Sequence, residues 1–209
     1  MGKECDRFSP KQAERIITCT WRHGEVASFL HEGTPVSEPK REWYKDDDGI
    51  RFSFISDDTT GEEWIERLEG GGSLVGYYTK RVLRSPDFKP TDGVTYEIVV
   101  YKGLIFKNDD RTTENIRANA KYDNLLIPNA EVACLIREKF TDEDIESMGL
   151  ESIVIMHEPI KDTDCVPCLL YAKSVGNCRC LDVIRDEPDK ILPPSFGFAF
   201  VMTEDSFQS

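Results

Sequence analysis

Four of the seven cysteines in this 209-residue chain fall within one short stretch. Cys165-Val166-Pro167-Cys168 is a Cys-x2-Cys pair, and Cys178-Arg179-Cys180 follows after nine intervening residues. Zinc takes four soft ligands in a tetrahedron, and a tight Cys-x2-Cys turn offers two of them. A hairpin over Leu169–Asn177 that brings Cys178 and Cys180 opposite Cys165 and Cys168 would complete the set. The one-residue gap of the second pair fits a knuckle less well. Free thiols on a polar hairpin are the plainer reading. A redox pair is a third, although Pro167 sits in a loop where a helix start is wanted.

The second constellation is His157-Glu158-Pro159-Ile160-Lys161-Asp162-Thr163-Asp164. It lies where an apolar run ends and a turn-rich segment begins, a common place for catalytic groups. His157, Glu158 and Asp162 could serve as acid, base or ligands of a divalent metal in a hydrolase or transferase. Lys161 breaks a His-Glu-x-x-His pattern, and the Asp-x-Asp of 162 and 164 lacks the Gly and distal Glu of a calcium loop. The plain alternative is a strand-end histidine beside a solvated acidic turn. No phosphate loop, Rossmann glycine pattern or Gly-x-Ser-x-Gly is present. Cys134 reads as a buried structural thiol on a partly apolar helix face.

The elements that must position these groups follow from periodicity. Ser9 and Pro10 start a short helix over Pro10–Ile17, residues 17–22 favour a strand, and residues 31–49 read as a long loop. Arg51–Ile55 alternates as a strand. Thr59 or Thr60 caps a helix through Trp64, Ile65 and Leu68 that Gly70-Gly71-Gly72 ends. Leu74–Leu83 is ambiguous between helix and strand. Val94–Phe106 is a strand apolar on both faces and so central. Asp110 caps a helix over Arg111–Tyr122, and a second covers Asn129–Phe140. Thr141–Asp144 resembles a capping box for a helix over Asp142–Met148 that Gly149 stops. Glu151–His157, Leu169–Lys173 and Gly197–Met202 are strands, with 158–168 a loop. Strands and helices do not alternate regularly, so the fold expected is α+β: one domain over 1–209, a mixed or mostly antiparallel sheet, three to five helices, and a loosely packed segment over 1–50.

The net charge is −13. That excludes a general nucleic-acid or anionic-membrane binder, which needs basic surface. The charge is uneven: residues 141–160 hold six acids and no Lys or Arg. An acidic surplus serves solubility or draws a basic protein partner. No run of about 18 apolar residues spans a membrane. The opening MGKECDRFSPKQAER has no apolar signal core, so a cytoplasmic protein with reduced thiols is expected.

TTGEEWIERLEGGG, RSPDFKPTDGVTYEIVVYKG and PNAEVACLIREKFTDEDIESMGL…IVIMHEPIKD together resemble a family of uncharacterised bacterial proteins. The similarity covers about residues 50–202. It implies a bacterial-type soluble protein and no particular activity. Where that family has an Asp/Gly-type turn, this chain has DTDCVPC. His31-Glu32-Gly33-Thr34 and Gly76-Tyr77-Tyr78 are similar, as an analogy, to nicotinamide-binding loops of ADP-ribosyl transferases, with Glu32 breaking the His-Gly-Thr run. The leading expectation is a non-enzymatic binding protein. The alternatives are a hydrolase or transferase using His157, Glu158 and Asp162, and a zinc-stabilised module using Cys165, Cys168, Cys178 and Cys180.

Overall fold

A computed structural model describes residues 42–46, 49–161, 166–175 and 178–203. The helix expected over Pro10–Ile17, the strand over 17–22, His31–Thr34, Asp162 and Cys165 lie outside the described residues.

The fold is α+β, five helices on a mixed nine-stranded sheet among the described residues. In chain order the strands are β1 (Tyr44–Lys45), β2 (Ile50–Asp57), β3 (Leu74–Val75), β4 (Asp92–Lys102), β5 (Ser152–Ile155), β6 (Ile160–Lys161), β7 (Pro167–Val175), β8 (Cys178–Arg185) and β9 (Phe196–Val201). The helices are α1 (Gly61–Gly70), α2 (Tyr77–Leu83), α3 (Thr113–Tyr122), α4 (Val132–Lys139) and α5 (Asp142–Ser147). The sheet order is β1-β2-β4-β9-β5-β7-β8-β3, with β6 continuing beside β7. β5 runs parallel to β9 and β3 parallel to β8, and the other pairs are antiparallel.

The helix ends carry the expected chemistry. The Thr60 hydroxyl accepts from the Glu63 amide while Glu63 takes the Thr60 amide at 2.8 Å, a full capping box. Thr141 and Asp144 repeat it for α5. Thr112, not Asp110, caps α3, two residues later than expected. Three helices close in the same way. Gly72 (φ 86°) after α1, Asn124 (φ 57°) after α3 and Gly149 (φ 82°) after α5 each take the left-handed conformation. In each case the next amide reaches back five residues: Ser73 to Leu68, Leu125 to Ala120, Leu150 to Ile145. The α4 end is held by arginines instead. Arg179 donates to the carbonyls of Arg137, Glu138 (2.9 Å) and Phe140 (3.2 Å). Arg137 has no exposed surface and pairs with Asp142 at 2.9 Å.

Both faces of the sheet are apolar, but they are covered unequally. On one face α1, α2, α4 and α5 pack Trp64, Leu68, Leu83, Ile136 and Met148 against Phe52, Ile98, Ile153 and Leu170. On the other, among the described residues, α3 is the only helix laid down, with Ile116 and Ala120 over Val99, Val154, Phe198 and Phe200. Eight strands abreast span about 34 Å at ~4.8 Å spacing, whereas one helix covers roughly 10–12 Å. Among the described residues the second face therefore carries less helix, and Ser53 and Ile55 of β2 are exposed.

Candidate functional site

His157 follows β5 and turns inward, 1 % exposed. The Leu170 amide donates to its Nε2 at 2.9 Å, so Nε2 carries no proton. Nδ1 then holds the hydrogen and donates to the Glu158 carbonyl at 2.7 Å. Both ring nitrogens are spent on the backbone, which leaves neither a lone pair nor a proton for a substrate. Burial above all, with the Arg117 cation adding to it, lowers the pKa to about 4. The Glu158 side chain is exposed. The two described members of the expected acid–base set are thus not brought into one pocket.

The cysteines are set apart by strand register. Cys168 pairs with Arg185, whereas Cys180 pairs with Lys173 and Cys178 with Val175. Five residues along β7 separate the two ladder positions, about 17 Å at ~3.3 Å per residue. Cys168 therefore shares no tetrahedron with Cys178 and Cys180. Of the four cysteines expected together, Cys178 and Cys180 therefore stand at one end of the β7–β8 ladder and Cys168 at the other. Among the described residues no cluster of three or more His, Cys, Asp or Glu is placed to hold a metal ion. Cys134, Cys168, Cys178 and Cys180 are all buried. Burial drives the Cys134 thiol well up and the Cys180 thiol to about 12, so neither is a ready nucleophile.

A different place is concave. Beside α3, on the thinly covered face, a groove of about 580 Å³ is lined by Arg117, Lys121, Leu125, Leu126, Ile127 and Phe200, with two alanines of α3. The left-handed Asn124 builds it. The turn folds Leu125 back against the helix and delivers Leu126 to β9, where it exchanges backbone hydrogen bonds with Val201 at 2.8 and 3.0 Å. Leu126 thereby occupies the edge of β9 beyond the point where β5 ends. Pairing puts Leu126 on the Val201 side of the sheet and leaves Leu125 and Ile127 on the α3 side. Leu126 is 55 % and Ile127 43 % exposed.

The polar wall is rigid. Arg117 pairs with Asp186 at 3.0 Å and donates to the His157 carbonyl at 3.3 Å. Sequence reading passed over this site because it tracked reactive residue types. The available signal was Leu125-Leu126-Ile127, three consecutive apolar residues in a segment outside every expected element. Gly76-Tyr77-Tyr78 opens α2, with both tyrosines exposed. No helix among the described residues is long and apolar enough to cross a membrane.

No protein-family profile, curated protein or solved structure matches the chain.

Proposed function

We propose that this chain is a binding protein rather than a catalyst, and that the groove between α3 and Leu125–Ile127 is its binding site. The observation that carries the reading is the groove itself. Its lining is apolar save for two cations, its volume of about 580 Å³ suits a small ligand, and no nucleophile or acid–base pair lines it. Arg117 is fixed by its ion pair, so one wall is formed before any ligand arrives.

A small molecule in this groove is favoured over the basic partner that the acidic surplus suggested. The acids of α5 lie on the other face of the sheet, above the cluster containing Ile145 and Met148. A cytoplasmic setting, where thiols stay reduced, fits seven cysteines at irregular spacing.

A neutral environment-sensitive dye tests the site. One dye per chain should bind, and Ala118→Phe should weaken it at least tenfold without lowering the melting temperature. Ala118 is exposed on α3, so the added ring fills the groove rather than the core. Unchanged dye affinity in that variant would refute the assignment.

A further inference from the structure

Lys121 stands in the last turn of α3 at the rim of the groove. It is exposed, and its ammonium has no ion-pair partner among the described residues. Arg117 lies one turn earlier on the same helix face, but its charge is taken up by Asp186 at 3.0 Å. Asp123, the nearest acid in sequence, makes no ion pair with Lys121 and accepts from the Tyr101 hydroxyl at 2.5 Å. An apolar trough formed by Leu125, Ile127 and Phe200 therefore ends at one uncompensated cation. The molecule as a whole carries −13. Its overall field repels anions, so any preference for a negative ligand is set locally, by Lys121.

We propose that the groove takes an amphipathic small molecule with an apolar body and a terminal carboxylate. The body lies along Leu125, Ile127 and Phe200, and the carboxylate accepts hydrogen bonds from the Lys121 ammonium. The inference rests on the groove being the binding site. An amine head would meet Lys121 as a like charge, and an alcohol head would forgo the charge-assisted bond. The apolar body supplies most of the affinity. Each added methylene should tighten binding about fourfold until the trough is full.

Titration of the full chain with octanoate, octan-1-ol and octylamine, followed by NMR, decides the matter. Octanoate should bind about tenfold tighter than octanol, and octylamine more weakly than either. Lys121→Met should abolish the preference for octanoate over octanol, and Lys121→Glu should reverse the order in favour of octylamine. Equal binding of octanoate and octanol, or a carboxylate preference that survives Lys121→Met, overturns the carboxylate assignment and leaves the groove standing. Failure of all three to bind overturns the groove as well.

Discussion

His157 shows how a residue with catalytic potential is committed to structure. Its imidazole joins the chain after β5 to the β7 backbone through Leu170 and closes its own turn through the Glu158 carbonyl. The neutral form makes both bonds, and the protonated form cannot accept from the Leu170 amide. With a pKa of about 4 in the fold against the usual 6.5, the unfolded chain binds the extra proton between those values. Stability is therefore complete above about pH 6.5 and is lost as the pH falls toward 4, by about 3 kcal/mol from this residue. His157→Leu should cost about 2–4 kcal/mol at pH 7 and remove that segment of the pH dependence. Denaturant unfolding of both proteins from pH 7.5 to 4 checks it, and an unchanged pH slope in the variant would show that His157 titrates normally. A second buried ionisable group is settled in the same manner. Glu131, 1 % exposed, accepts from Tyr96 at 2.6 Å and from the Thr91 amide at 3.0 Å. Burial, helped by that carboxylate, pushes the Tyr96 phenol up to about 12.

At the scale of elements, local signals were legible where the chemistry is local. The Thr60 cap, the Thr141 box and the glycine stops stand as read, and Thr60 proves to form a full box with Glu63. The expected strand over Val94–Phe106 ends instead at Lys102, and Gly103 opens a short 3-10 turn under the Pro193–Phe196 carbonyls. β8 was not foreseen, because CRCLDVIR mixes charge with apolar residues on a strand only partly buried. Nor was the central place of β9, since no local feature of GFAFVM says that it slots between β4 and β5. The contact between α1 and α2 offers a sharp test of packing. A Cβ at Gly61 would lie 1.8 Å from the Leu83 carbonyl oxygen, whereas one at Gly70 would meet nothing within 4 Å. Gly61→Ala should destabilise by about 3 kcal/mol or more, and Gly70→Ala should be neutral or stabilise by roughly 0.5 kcal/mol. Equal melting temperatures for the two variants would contradict this packing.

Over the whole molecule, the decisive feature is the unequal cover of one sheet. Among the described residues four helices close one face, and a single ten-residue helix lies on the other. The sequence could not show this imbalance, because α1, α3 and α4 look alike as amphipathic segments and only topology assigns each to a side. The candidate chemistry was equally hard to read. Cys165–Cys180 and His157–Asp164 are dense in reactive residue types, yet strand register sends Cys168 and Cys180 apart and burial silences His157. The groove comes instead from Asn124, an unremarkable residue whose left-handed turn lays Leu125–Ile127 beside α3. The acidic surplus belongs in part to α5, on the opposite face. The most direct test of the account is an amide chemical-shift map with octan-1-ol, whose neutral head leaves only the trough to bind it. Saturable shifts should centre on Ala118, Lys121, Leu125, Ile127 and Phe200, with α5 and β8 silent. Shifts that centre on β8 or α5, or that spread without saturation, would contradict it.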